Sequence, residues 1–288
     1  MRKWLRSRPK WIVRPIIALC AFVLVERTCH HFTDGFSVYR IHLNFAPREQ
    51  FHPEKPSAQT LNALNQSYSY LGSGSQSFAF LSEDGQYVLK FFKLGTSIWK
   101  RLDRRRFAKR QHSFVRAFES CLIYQNHLKN ESGLLYCHLN PSDYAFPITT
   151  LIDRNQRHLS IDLKQFPFVL QKHIEPTKAR LLRLKLAHDR SGAKACIDQL
   201  FDFLVKRYQM GFSDKDPNLA ENFGFIGDQV TSLDVGGLIP DRENLEEYFF
   251  SHEIQKAQFK LTRWLKVHDP ELIPYVDKKV ADIISKKT

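Results

Sequence analysis

The sequence predicts an α+β protein of two lobes, with a sheet-rich first lobe at residues 67–172 and a helical second lobe at 173–288. Three observations predict this fold class. Apolar and polar residues alternate in short runs over residues 67–93, which indicates paired antiparallel strands. Apolar residues recur at helical spacing in the last third of the chain, which indicates packed helices. Within the second region, the polar segment Gly211–Gly236 carries aspartates and an asparagine, which we expect at the junction of the lobes.

Composition bounds the possible functions. The chain has 288 residues and is 43% hydrophobic, which suits one large domain or two lobes and excludes a disordered protein. Its net charge of +13 indicates an anionic partner, such as a phosphate-bearing substrate, an acidic lipid surface or a nucleic acid. Five widely spaced cysteines, without a Cys-x-x-Cys pair, argue against a zinc site or a disulfide framework.

Residues 1–27 predict a basic tail and an N-terminal hydrophobic helix that associates with a membrane. The apolar run Pro15–Val25 is shorter than the roughly 17–25 residues of a spanning helix. No Ala-x-Ala-like cleavage site follows Val25, which favours an uncleaved anchor or interfacial helix. A cleaved signal and a soluble helix are the alternatives, and the side of the membrane stays open. Residues 28–66, with scattered prolines, predict a linker or extended arm.

The first lobe begins with a glycine-rich hairpin. Its loop runs from Gly72 to Ser77 between two predicted strands, and glycine lets backbone N–H groups approach phosphate oxygens. Because a strand follows the loop, a dinucleotide-binding or Walker-type loop is disfavoured. A plain Gly-Ser hairpin is the alternative. Lys90 lies in an apolar strand that follows an Asp84-Gly85 turn, so it must reach an anion or water.

A helical segment at residues 97–130 follows these strands. Its dense basic run, Lys100–Arg110, is either a solvated face or a surface for an acidic membrane or polyanion. Further along the segment, Phe114 and Phe118 fall on one face, and Glu119 lies one step around the helix.

The segment Gly211–Gly236 carries the strongest chemical signal. Asp216, Asn222 and Asp234 offer hard oxygen atoms of the kind that hold Mg²⁺ and orient a hydroxyl group. The alternative is a polar loop with ordinary turn residues.

Together these pieces resemble the protein-kinase-like superfamily over roughly residues 67–240. The hairpin and Val-Leu-Lys90 resemble the nucleotide-binding lobe. Asp214-Lys-Asp216 stands where His-Arg-Asp is usual, and Asp234-Val-Gly236 resembles Asp-Phe-Gly.

The resemblance implies a nucleotide site in the first lobe. ATP would contact Gly72, Ser73, Gly74, Gln76 and Lys90, with Lys90 on the α- and β-phosphates.

The resemblance also implies the catalytic roles. Glu119 would pair with Lys90, Asp216 would accept or orient the substrate hydroxyl, and Asn222 with Asp234 would bind Mg²⁺.

Several departures from the family pattern narrow the type of kinase. Asn222 follows Asp216 by six positions, one more than usual, and Glu221 occupies the usual slot. Asp214 replaces the histidine and is a second candidate for the catalytic carboxylate. No Ala-Pro-Glu signature follows Asp234, and too little chain remains for a large helical lobe. The pattern therefore suggests a compact, atypical kinase or a small-molecule or sugar kinase.

The resulting hypothesis is a membrane-associated phosphotransferase that moves the ATP γ-phosphate to a hydroxyl group of a sugar, glycolipid or protein. Its predicted partners are a nucleotide and an anionic membrane surface, and nucleic acid is disfavoured. Two alternatives stay open: a pseudokinase that acts as a binding or scaffold module, and a basic membrane- or polyanion-binding protein whose loops mimic the motif.

Overall fold

The computed structural model describes residues 10–43, 46–95, 103–240 and 247–285. The α-helices are α1 Lys10–Thr33, α2 Val38–Ile41, α3 Ala58–Leu64, α4 Arg104–His127, α5 Lys129–Ser132, α6 Thr177–Leu186, α7 Arg190–Gln209, α8 Glu247–His268 and α9 Ile273–Ser285. The strands are β1 Tyr68–Ser73, β2 Ser77–Ser82, β3 Tyr87–Phe92, β4 Leu134–His138, β5 Ile148–Ile152, β6 His158–Asp162, β7 Phe168–Lys172, β8 Glu175–Pro176, β9 Phe212–Asp214, β10 Phe223–Ile226, β11 Gln229–Ser232 and β12 Leu238–Pro240. Short 3-10 turns occur at Glu49–Phe51, Leu163–Gln165 and Pro270–Leu272.

The first lobe is a seven-stranded sheet in the order β4-β7-β3-β2-β1-β5-β6. Every neighbouring pair is antiparallel except β1 and β5, which are parallel. The predicted turn joins β2 to β3, where Gly85 has a φ of +71° and Ser82 donates to Asp84 at 2.6 Å. The α+β class with an antiparallel-rich first lobe is therefore confirmed.

Helix α4 packs across this sheet. Phe114, Phe118 and Cys121 are buried at positions three or four residues apart, and they join a cluster with Phe92 of β3 and Val169 of β7. The helix begins at Arg104 after the capping residue Asp103. The first part of the predicted helical segment, residues 97–102, lies outside the described residues.

The second lobe is helical, as predicted. Ile197, Leu200, Phe201 and Leu204 of α7 are buried in a core that α8 and α9 complete. Helix α7 ends where Gly211 takes a φ of +82°, the left-handed conformation that glycine adopts without a Cβ clash.

Residues 28–66 differ from the predicted linker. They include the end of α1 and the helices α2 and α3. Phe36, Ile41, Phe51 and Leu64 are buried against the first lobe, with Phe36 on the rings of two phenylalanines of β2. Burial of these apolar side chains stabilises the segment on the sheet, so it forms part of the first lobe.

Residues 14–29 of helix α1 are exposed. Within it, Arg14–Thr33 is long and apolar enough to cross a membrane by length and composition, and none of that window is buried. A membrane anchor and a signal sequence both fit this helix. The predicted basic tail, residues 1–9, lies outside the described residues.

Candidate nucleotide-binding and catalytic site

A cleft of about 480 Å³ lies between the two lobes. The cleft is lined by the glycine-rich hairpin, β3, β7 and the loops around β10 and β11. The lining residues are Gly74, Ser75, Gln76, Ser77, Ala79, Lys90, Phe92, Val169, Asp216, Glu221, Asn222, Leu233, Asp234, Val235 and Gly236.

Strand pairing brings the polar residues of Gly211–Gly236 together. The hairpin of β10 and β11 begins just after Asn222 and ends just before Asp234. The backbone N–H groups of Leu233 and Asp234 donate to the Asn222 carbonyl at 2.8 and 3.2 Å. Pairing of β9 with β12 then holds Asp214 opposite Leu238, so the loop before Asp216 and the chain after Asp234 are fixed side by side.

The extra residue between Asp216 and Asn222 is taken up by a tight turn. The Asn222 N–H donates to the Asn218 carbonyl at 2.8 Å, a spacing of one helical turn. The Asn222 side chain thereby faces back and donates through Nδ2 to the Asp216 carbonyl at 2.8 Å. The displaced asparagine is thus joined directly to the backbone of the candidate base.

Asp216 has an exposed side chain at the cleft wall, and its carboxylate receives a hydrogen bond from the ammonium of Lys260 on α8. Its backbone N–H donates to Asp214 Oδ1 at 2.8 Å. The first contact holds the Asp216 carboxylate, and the second holds the backbone of the same residue.

Asp214, the second carboxylate candidate, has a different place. Its carboxylate is nearly buried and lies 3.3 Å from Arg207 Nη1 of α7, whose Nη2 donates to Glu253 of α8 at 2.7 Å. Burial raises the pKa of Glu253 against the opposing effect of Arg207. For Arg207, burial acts to lower the pKa, but the surrounding acidic groups, Asp214 foremost, raise it. Asp214 therefore supports the loop that carries Asp216.

Lys90 extends from β3 into the back of the cleft. Its ammonium donates to Gln171 Oε1 at 2.7 Å and to the Leu233 carbonyl at 2.5 Å. Burial lowers the pKa of Lys90, and the nearby charge of Asp234 partly offsets this. A half-buried cation with neutral hydrogen-bond partners is suited to a phosphate, because a phosphate would supply the missing negative charge.

Glu119 is not brought to Lys90. It is exposed on α4, where its charge acts to raise the pKa of Lys215 against the larger, lowering effect of burial. One step along the helix, Ser120 faces inward, donates to the Val235 carbonyl at 2.6 Å and accepts from the Leu238 N–H at 2.9 Å. Glu119 is the one acidic residue of α4, so this helix offers Lys90 no carboxylate, and the predicted ion pair is not present.

The glycine-rich hairpin divides into two parts. Gly74 and Gln76 line the cleft, and Gln76 Nε2 lies 3.5 Å from Ser113 of α4. Gly72 and Ser73 belong to β1, outside the lining, and the Ser73 hydroxyl accepts from the ammonium of Lys93 at 2.5 Å. The structure thus places two of the four predicted loop residues at the cleft.

Asn222 and Asp234 fit a magnesium ion by their chemistry. Asp234 is exposed to the cleft, and one of its oxygens accepts from the Gly236 N–H at 2.9 Å. Asn222 donates from its side-chain N–H₂ to the Asp216 carbonyl, which leaves its side-chain oxygen available as a metal ligand. The described residues contain no cluster of three acidic, histidine or cysteine side chains for a metal. Two protein oxygens suffice where phosphates and water supply the other ligands.

Two contacts in this site were missed from the sequence. Gln171 is a lone amide in the apolar run of β7, and a polar residue in such a run is itself a signal of a buried partner. Lys260 gave no such signal, because basic residues at helical spacing are ordinary on a solvated helix.

A glycine-rich hairpin comes first, then a lysine on the third strand, a packed helix and the polar segment Gly211–Gly236, and this is the order of a protein-kinase-like fold. The chain has this fold, as its sequence predicted.

No family model matches the chain, and no curated protein matches it. Among solved structures it is similar to WbdD, at 16% identity with a TM-score of 0.39, over 82% of this chain and 53% of that chain. The chain thus spans about half of WbdD, which another structure describes as a bifunctional kinase-methyltransferase. It is also similar to a GDP complex of aminoglycoside 2'-phosphotransferase-IIIa, at 12% identity with a TM-score of 0.27, over 78% of this chain and 94% of that one.

Proposed function

We propose that this protein is a phosphotransferase that moves the γ-phosphate of ATP to a hydroxyl group. The observation that supports this is the convergence of Lys90, Asp216, Asn222 and Asp234 on one cleft beside a glycine-rich hairpin. Phosphoryl transfer depends on positioning and charge stabilisation, and these side chains supply both.

In the proposed reaction the acceptor hydroxyl attacks the γ-phosphorus. A new O–P bond forms, the bond from the γ-phosphorus to the β,γ-bridging oxygen breaks, and ADP leaves with the electron pair. Asp216 accepts the hydroxyl proton and later releases it to water. Asn222 holds the Asp216 backbone in place through the 2.8 Å contact of Nδ2 with the Asp216 carbonyl.

Lys90 would bind the α- and β-phosphates from the back of the cleft, and Gly74 with Gln76 would cover them. Asn222 and Asp234 would hold Mg²⁺, which when bound neutralises charge on the phosphates. The neutral partners of Lys90 leave its charge available to the nucleotide.

We also propose that the enzyme works at a membrane. The exposed apolar helix α1 and the net charge of +13 support an acidic membrane surface as its location. Acceptors found at such a surface include sugars of glycolipids and protein side chains.

A pseudokinase is the second candidate, and two contacts favour it. Lys90 has no carboxylate on α4, and Lys260 occupies the carboxylate of Asp216. A scaffold module of this kind would bind nucleotide or partner without turnover.

Thermal unfolding of the full chain with ATP, with and without Mg²⁺, tests the proposal. We expect a metal-dependent rise in Tm that Lys90→Met and Asp234→Ala both remove, because each removes charge that the nucleotide needs. Asp228→Ala is the matched control, since Asp228 is an exposed carboxylate in the β10–β11 turn away from the cleft. Folded protein that shows no shift with Mg-ATP contradicts a nucleotide site.

Turnover separates the two candidates. ATP consumption that Asp216→Asn abolishes, with the Mg-ATP shift in Tm retained, supports the enzyme. If Mg-ATP still raises the Tm but no ATP is consumed with any acceptor tested in the presence of membranes, the protein is a pseudokinase.

A further inference from the structure

A second cavity, of about 200 Å³, lies beside the catalytic segment under helix α8. We call it the α8 cavity. It is bounded in part by Lys178, Asn218, Glu221, Lys260, Arg263 and Trp264.

The α8 cavity adjoins the candidate reaction centre. Glu221 lines both this cavity and the nucleotide cleft. The ammonium of Lys260, in the cavity wall, contacts the carboxylate of Asp216, which faces the cleft. A group held in the α8 cavity would therefore lie next to Asp216.

Two cations of the cavity, Lys260 and Arg263, lie on the same side of α8 as Lys256, which is outside the cavity lining. Lys256, Lys260 and Arg263 are four and three residues apart, so they form one stripe of α8 that faces the catalytic segment. Lys256 donates to the Lys215 carbonyl at 2.5 Å, and Lys260 contacts Asp216.

The charges of the cavity do not cancel. Lys178 pairs with Glu221 at 2.6 Å, and Lys260 pairs with Asp216. Arg263 has no carboxylate partner among the described residues, and its guanidinium lies 6.0 Å from the centre of the Phe259 ring. The guanidinium of an exposed arginine presents paired N–H donors that match the oxygens of a phosphate group, and the two neighbouring lysines add positive charge.

We propose that the α8 cavity binds the acceptor, and that the acceptor carries a phosphate group of its own near the hydroxyl that is phosphorylated. This rests on the proposed function. Arg263 and Lys178 hold the acceptor phosphate, and Trp264 packs against the rest of the molecule. The acceptor phosphate also attracts Lys260, which frees the Asp216 carboxylate to accept the hydroxyl proton.

The test uses the full-length protein in detergent, saturated with a non-hydrolysable ATP analogue and Mg²⁺ so that the nucleotide cleft is filled. Inorganic phosphate is then titrated by calorimetry. We expect binding that Arg263→Gln weakens by about tenfold or more, the loss expected for a charge-assisted hydrogen bond. Lys266→Gln is the matched control, since Lys266 is an exposed cation of α8 outside the cavity lining, and it should bind phosphate like the unchanged protein.

Three results overturn the inference. If phosphate does not bind to the analogue-loaded protein, the cavity is not an anion site. The same conclusion follows if phosphate binds to Arg263→Gln as tightly as to the wild-type protein. If acetate displaces phosphate at equal concentration, the cavity is not selective for a phosphate group. Failure of the ATP analogue to bind is a separate result that contradicts the nucleotide site itself, and phosphate titrated without analogue still tests whether Arg263 binds it.

Discussion

The ammonium of Lys90 and the side-chain amide of Gln171 form a hydrogen bond of 2.7 Å at the back of the interlobe cleft. The same amide donates through Nε2 to the Ser132 carbonyl at 2.5 Å and to the Ser232 carbonyl at 2.8 Å. Gln171 is fully buried, so one amide joins the lysine strand, helix α5 and the strand that leads to Asp234. A neutral residue of β7 thus takes the place at Lys90 that the resemblance assigned to a helix carboxylate.

We predict that Gln171→Leu destabilises the protein by about 2 kcal/mol or more. The substitution removes the hydrogen-bond partner of the Lys90 ammonium and of the Ser132 and Ser232 carbonyls. Each of these groups then loses this hydrogen bond, with no water to replace it. The unfolding free energy in urea measures the effect. Gln255→Leu, at an exposed position of α8, should change it little. Equal losses of unfolding free energy in the two variants would show that the Gln171 hydrogen bonds do not stabilise the protein.

We predict an acid-sensitive fold through His138. This histidine is buried, donates from Nδ1 to the Phe166 carbonyl at 2.8 Å and accepts at Nε2 from the Ser142 hydroxyl at 2.8 Å. Burial lowers the pKa of His138 from 6.5 to about 4. Between these values the unfolded chain binds a proton that the folded chain does not, so stability falls as pH drops from 6.5 toward 4.

The size of this effect follows from linkage. His138 should account for a loss of about 2 to 3 kcal/mol in the unfolding free energy between pH 7 and about pH 4.5. Urea titrations at both pH values check it, and His138→Gln should flatten the difference. His158→Gln, an exposed position, serves as control. The idea fails if the pH difference is the same with and without His138.

The buried charges around Arg207 give a third prediction. Arg207→Met leaves the carboxylates of Asp214 and Glu253 buried without their cation, which costs about 3–5 kcal/mol. Lys206→Met removes the neighbouring surface pair with Glu131 and should cost less than about 1 kcal/mol. Chemical denaturation compares the two.

A catalytic readout accompanies that comparison. Because Asp214 accepts from the Asp216 N–H, loss of Arg207 should also lower kcat in any assay of turnover, while Lys206→Met leaves it unchanged. A variant of Arg207 with native stability and native kcat would contradict a supporting role for this buried network.

Local signals were enough to predict the first-lobe hairpin and the closeness of Asn222 to Asp234. The Asp84-Gly85 turn needs only its own side-chain contacts and a left-handed glycine, so sequence identifies it. Asn222 and Asp234 meet because one short hairpin, β10 and β11, joins them. Neither inference requires knowledge of distant packing.

Residues placed by packing were harder to predict. Glu119 and Ser120 differ by one helical step, and their orientation depends on which side of α4 meets the sheet and Val235. Lys260 reaches Asp216 only because the second-lobe core positions α8 beside the catalytic segment. Residues 28–66 show little periodicity, yet a few large apolar side chains anchor them to the sheet.

The last prediction concerns helix α1, whose apolar side chains, such as Leu19 and Phe22 at 62% and 68% exposure, have no protein surface to pack against among the described residues. If this helix enters a bilayer, Phe22→Arg should release the protein from membranes, since a charge at the centre of a short apolar segment costs about 2.5–3.5 kcal/mol. Retention in the pellet after alkaline carbonate washing measures this. Leu186→Arg is the control, because Leu186 is 82% exposed on α6 of the second lobe. If the wild-type protein stays in the supernatant and mass spectrometry shows an intact N-terminus, the helix is not an anchor. A shortened N-terminus identifies a cleaved signal instead.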